Sequence, residues 1–180
     1  MKLRITAAAA LACVLAASPA AAQTDTLSAP GARTNAISIL PLHAILGFYA
    51  GDYEHAVGRT TTVGLGASYF SLGEGEDELV YATTEAKFRY YPSGDPLRGL
   101  SFGLTAGPTF LSAEAAGSED ESVTAIGVGF EVARSHVLGV DRRFYYGYGA
   151  GAKRLFFTGD EADGAEMVLP TLRLSVGYAF

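Results

Sequence analysis

The chain has few of the groups that soluble chemistry and nucleic-acid binding rely on. Cys13 is its only cysteine and His43, His55 and His136 its only histidines. No His-x-x-x-His spacing and no nucleophile elbow occurs, so the sequence carries no metal-site or hydrolase motif and implies no cofactor. Beyond residue 22 there is no run of eighteen apolar residues, which excludes a membrane-spanning helix from that part of the chain. Basic residues are also scarce. Past residue 22, eleven Lys and Arg stand against nineteen Asp and Glu, a net charge of −8, and phosphate backbones need the opposite sign. Nucleic acid is therefore not an expected partner.

The amino terminus is where a long apolar stretch does occur. Lys2 and Arg4 precede thirteen apolar residues from Ile5 to Ala17, followed by Ser18-Pro19-Ala20-Ala21-Ala22. This is the pattern of a secretory signal peptide, residues 1–22, cleaved after Ala22. At about 1.5 Å per residue the apolar run reaches only about 20 Å, short of a hydrocarbon core of roughly 30 Å. A lipoprotein signal acylated at Cys13 is the alternative, disfavoured because Leu11 is one position from its expected place and the run is short. Cleavage leaves 158 residues without cysteine, enough for one domain and carrying no disulfide framework.

Strict alternation is the dominant pattern in what remains. From Leu169 onward, Leu172, Leu174, Val176, Tyr178 and Phe180 fall on one face, and Thr171, Arg173, Ser175, Gly177 and Ala179 on the other. After a polar leader at 23–35, similar segments are expected near 36–43, 46–57, 60–72, 79–91, 98–111, 123–134, 143–157 and 168–180. Ile37 to Val57 taken as one strand would reach roughly 70 Å at about 3.3 Å per residue. A tight turn within Leu42 to Phe48 is therefore expected, and the even count fits a closed antiparallel barrel. The fold class is all-β: an eight-stranded, antiparallel, up-and-down transmembrane barrel spanning 36–180.

Face assignments place the charges together. In the fifth segment Leu100, Phe102, Leu104, Ala106, Pro108 and Phe110 oppose Ser101, Gly103, Thr105, Gly107 and Thr109. In the sixth, Ile126, Val128, Phe130 and Val132 point outward while Gly127, Gly129 and Glu131 point inward. The fourth sets Val80, Ala82, Ala86, Phe88 and Tyr90 against Thr83, Glu85, Lys87 and Arg89. On this register four acids, Asp52, Glu54, Glu85 and Glu131, share the interior with four bases, Lys87, Arg89, Lys153 and Arg173. A lumen network of paired charges is expected, since a small barrel has room only for side chains; a narrow ion path or pH-sensitive gate is the alternative. Arg134 and Arg154 point outward and are expected near strand ends, where a lipid-facing arginine costs about 0–1 kcal/mol instead of roughly 2–4 at the midplane. A soluble sandwich or lipocalin-like binder would put polar residues outside.

The connections sort into two sets. Those at 57–60, 92–98 and 135–142 are short or basic, whereas 73–78, 113–122 and 158–166 are acidic and glycine-rich. Alternate connections lie at opposite barrel ends, so the basic turns and both termini are expected in the periplasm and the acidic loops outside. His43 and His136 are expected in turns and His55 at a strand end, each a surface or interface residue. The run Gly147-Tyr-Gly149-Ala-Gly151-Ala-Lys153 lacks the strand-to-helix context of a phosphate loop and reads as the inner face of a strand.

Asn35-Ala-Ile-Ser-Ile-Leu-Pro-Leu42, Tyr53-Glu54-His55-Ala56, Gly64-Leu-Gly66-Ala-Ser-Tyr69 and Arg89-Tyr90-Tyr91-Pro92 resemble a family of small outer-membrane barrels of undefined function. The architecture is similar to the barrels of outer membrane protein A and outer membrane protein X. The resemblance spans residues 35–180 and implies a monomeric barrel in a Gram-negative outer membrane. Its implied partners are outer-membrane lipids and the barrel-assembly machinery, with Tyr178 and Phe180 as the assembly signal. It transfers no catalytic residue. A structural or surface-interaction role through the acidic loops is the leading expectation. A narrow porin-like channel for small solutes is one alternative. The other is a lipid acyl hydrolase or transferase drawing on a histidine with Ser38 or Ser68. No peptidoglycan-binding domain follows the barrel in the sequence.

Overall fold

A computed structural model describes residues 33–45, 47–72, 78–114, 121–158 and 166–180. The expected signal peptide, most of the leader and the centres of the three acidic connections lie outside the described residues. Eight strands are found among those described: β1 (Asn35–Ile39), β2 (Phe48–Ala56), β3 (Thr61–Leu72), β4 (Glu78–Tyr90), β5 (Gly99–Glu114), β6 (Glu121–Leu138), β7 (Phe144–Thr158) and β8 (Glu166–Ala179). One short helix, α1 (Pro41–Ile45), follows β1. Each strand pairs antiparallel with the next, and β1 pairs with β8 to close the barrel. The closing register sets Ala36 against Ala179 and Ile39 against Val176. Closure matters because a barrel leaves no sheet edge.

Local chemistry explains where the elements depart from expectation. β1 stops at Ile39 instead of continuing to residue 43, because Pro41 lacks an N–H for the ladder and its fixed φ suits the first position of a helix. The reversal is thus a turn of helix closed by Gly47, which sits at φ 84° and donates its N–H to the Ala44 carbonyl at 3.1 Å. β6 runs to Leu138, four residues past its expected end, since the alternation persists: Ser135 and Val137 are buried while Arg134 and Leu138 are exposed. His136 therefore lies in a strand opposite Tyr146, not in a turn. Arg134 and Arg154 each sit four residues inside their strands, not at the ends. Strands also extend into the acidic connections, β5 to Glu114 and β6 from Glu121.

The two faces differ as the alternation requires. Outward positions on every strand carry exposed apolar side chains, among them Ile37, Leu65, Phe88, Leu104, Phe130, Tyr148 and Leu172. Inward positions are buried and mostly polar or glycine, including Ser101, Thr109, Ser135 and Ser175. One end of the barrel carries the short turns at 57–60, 91–98 and 139–143 together with the start of β1 and the end of β8. The other end carries α1 and the three longer connections.

Candidate functional site

The interior is the candidate site. The eight inward charges come from β2, β4, β6, β7 and β8, and the register brings all eight into contact. Arg89 lies between Glu54, with which it forms a close ion pair, and Glu131, to which its Nε donates at 2.8 Å. Asp52 accepts from Lys87 at 2.5 Å and faces Arg173 at 2.7 Å. Lys153 reaches Glu85 at 2.6 Å. Two longer contacts of 3.9 Å, Arg173 to Glu131 and Lys87 to Glu85, join the pieces.

The result is one chain of alternating sign. It runs Glu54, Arg89, Glu131, Arg173, Asp52, Lys87, Glu85, Lys153, from the short-turn end towards the long-loop end. Every acid touches two bases except Glu54 at the tip. The Arg173–Asp52 contact lies off line for a hydrogen bond, as does that of Arg89 Nη2 with Glu131, so charge holds these contacts more than direction does. Buried ions require such compensation, because an isolated one is too costly to keep.

Hydroxyls and glycines fit the network to its space. Thr62 and Tyr91 each donate to Glu54 Oε1 at 2.6 Å, and Lys153 donates to Thr83 and Thr109 at 3.3 Å. Burial, and then the Glu54 carboxylate, push the Tyr91 hydroxyl well above the ordinary phenol range, which keeps it a donor. Gly66 makes room for the central pair: a Cβ there would lie 2.6 Å from both Asp52 Oδ1 and Lys87 Cε.

The short-turn end is closed below these charges. Tyr91 and Leu97 are fully buried there, and Ala36, Leu97, Val137, Tyr145 and Ala179 form an apolar cluster. Towards the other end a cavity of about 140 Å³ lies against the network itself, lined by Asp52, Glu85, Lys87, Glu131, Lys153 and Arg173 and reaching Leu40. It is large enough for several waters. Sequence reasoning missed the floor. Parity could have found Tyr91, the next inward position after Arg89, and Tyr145, which shares its face with Gly147 and Gly149.

The remaining singled-out residues lie elsewhere. His55 donates from Nδ1 to Asn35 Oδ1 at 2.8 Å, where Tyr53 also donates. His43 is in α1. His136 stacks on Tyr146 on the outer face, 4.6 Å between ring centroids. Gly147, Gly149 and Gly151 lie inside β7, so no phosphate loop forms. Among the described residues no cluster of potential metal ligands occurs. Tyr178 and Phe180 stack at 6.2 Å, and Phe180 exchanges backbone hydrogen bonds with Asn35 at 2.9 Å.

No protein-family model matches the chain, and no curated protein matches it. Among solved structures it is similar to the N-terminal beta-barrel domain of OprF from Pseudomonas aeruginosa, at 14% identity and a TM-score of 0.49, covering 83% of this chain and 99% of that one. The fold assignment rests on the strand pairing itself.

Proposed function

We propose that the chain is an integral outer-membrane barrel, inserted as a monomer by the barrel-assembly machinery. On this reading its lumen is filled and its role is structural or surface-interacting. The observation that carries this reading is the inversion of polarity: exposed outward positions on every strand are predominantly apolar, while eight charges fill the inside of a closed barrel. Water would favour the reverse, whereas hydrocarbon requires backbone groups satisfied in a closed ladder and an apolar exterior. The short-turn end and both ends of the barrel chain then face the periplasm, the acidic connections face outward, and Tyr178 and Phe180 serve as the insertion signal.

The continuous ion chain above an apolar floor supports a scaffold over a channel. Of the histidines on which a lipid enzyme would draw, His55 hydrogen-bonds Asn35 and His136 stacks on Tyr146, and neither forms a hydrogen bond to a serine among the described residues. Two measurements test the proposal. Outer-membrane fractionation with heat-modifiable migration is expected; recovery from the periplasm as soluble protein would overturn the membrane reading. In planar bilayers no stable open conductance is expected, and a steady open level would replace the scaffold by a channel.

A further inference from the structure

Six described bases lie within strands, and five of them touch a carboxylate: Lys87, Arg89, Lys153, Arg173 and, on the outer face, Arg154 with Glu166. Arg134 does not. It points outward from β6, opposite Leu100 on one side and Tyr148 on the other, and among the described residues no acid lies within ion-pair distance. A guanidinium cannot shed its charge, so on an apolar face it calls for an anion from outside the chain.

A second feature adjoins it. His136, two residues on along the same face, is held nearly parallel to Tyr146, with an interplanar angle of 10°, and 6.2 Å from the Tyr148 ring. Stacking fixes the imidazole plane and leaves its nitrogens without a hydrogen-bond partner among the described residues. Both groups lie in the half of β6 nearest the short turns, where Phe144, Tyr148 and Tyr178 form an exposed aromatic band. Such bands mark the headgroup level of a bilayer, and an arginine side chain can reach that level from below.

We propose that Arg134 and His136, framed by Tyr146 and Tyr148, hold the phosphate of an anionic phospholipid on the outer face of the barrel. The site rests on the membrane reading above. Arg134 binds the phosphate as a fork, His136 donates from its ring edge, and the tyrosine rings pack against the glycerol and upper acyl chains. An anionic lipid is preferred to a zwitterionic one, whose own ammonium competes for the phosphate.

Native mass spectrometry on the full-length folded protein, released from detergent with equal phosphatidylglycerol and phosphatidylcholine, tests this. Wild type is expected to retain one phosphatidylglycerol about fivefold more than phosphatidylcholine, the preference one basic group confers near an anionic surface. Arg134→Gln should abolish the preference, Arg134→Lys should keep most of it, and Arg154→Gln, which alters a cation already paired, should leave it unchanged. Equal retention of the two lipids by wild type, or an undiminished preference in folded Arg134→Gln, overturns the proposal. If Arg134→Gln does not migrate as folded protein, the wild-type comparison alone decides. A chain that does not insert into vesicles overturns the membrane reading instead, whereas insertion with equal lipid retention overturns only the lipid site.

Discussion

Arg89 is the residue whose loss should weaken the lumen most. It is buried, it pairs with Glu54, and its Nε reaches Glu131 at 2.8 Å. Replacing it with glutamine leaves Glu54 with only the hydroxyls of Thr62 and Tyr91, and Glu131 with only the 3.9 Å contact to Arg173. Removing one partner of a buried pair costs about 3–5 kcal/mol, because the other charge stays buried without compensation. With an m-value of about 2 kcal/mol/M, that moves the urea midpoint by roughly 2 M. Glu54→Gln in the Arg89→Gln background removes the stranded charge and should recover part of the loss, with a coupling energy of about 1–3 kcal/mol. Tyrosine fluorescence and heat-modifiable migration across a urea series, with protein in lipid vesicles, measure both. A shift below about 0.5 M for Arg89→Gln, or single effects that simply add, would refute the claim that these buried ions depend on one another.

Three further outcomes follow from the geometry. Gly66→Val should push Lys87 off Asp52 and cost about 1–3 kcal/mol by the same urea series, as overpacking does. Phe130→Arg, in the middle of the outer face, should cost about 2–4 kcal/mol, while Leu138→Arg at the end of β6 should cost about 0–1, a depth difference that only a lipid surroundings produces. Removing Phe180 should slow assembly in a time course of heat-modifiable migration, since it deletes both the Phe180–Asn35 backbone bonds and the Tyr178 stack.

The faces of β4, β5, β6 and β8 were legible because an inside-out barrel writes a period of two, with nothing else competing for the pattern. Parity alone brought the eight charges inside. Their order along the chain of contacts was not legible, because that Arg173 bridges Asp52 and Glu131 depends on stagger between strands far apart in sequence. α1 was hidden by its length, as five residues cannot show a helical period. The extension of β6 past Arg134 was obscured because Ser135 and His136 look like turn residues until the outward aromatic neighbours of His136 are known.

The seam between β1 and β8 has a kinetic consequence. β1 is five residues long, and its second edge has no partner but Val176 to Ala179 at the far end of the barrel chain. Every other ladder joins neighbours in sequence, but this one spans nearly the whole described chain and has the fewest pairs. Non-local pairing of this kind is slow. Closing this seam is therefore the slowest pairing the topology sets, and until it closes two open edges invite pairing with other chains. A seam left open is thus the point at which a strand of another chain can take the place of β8.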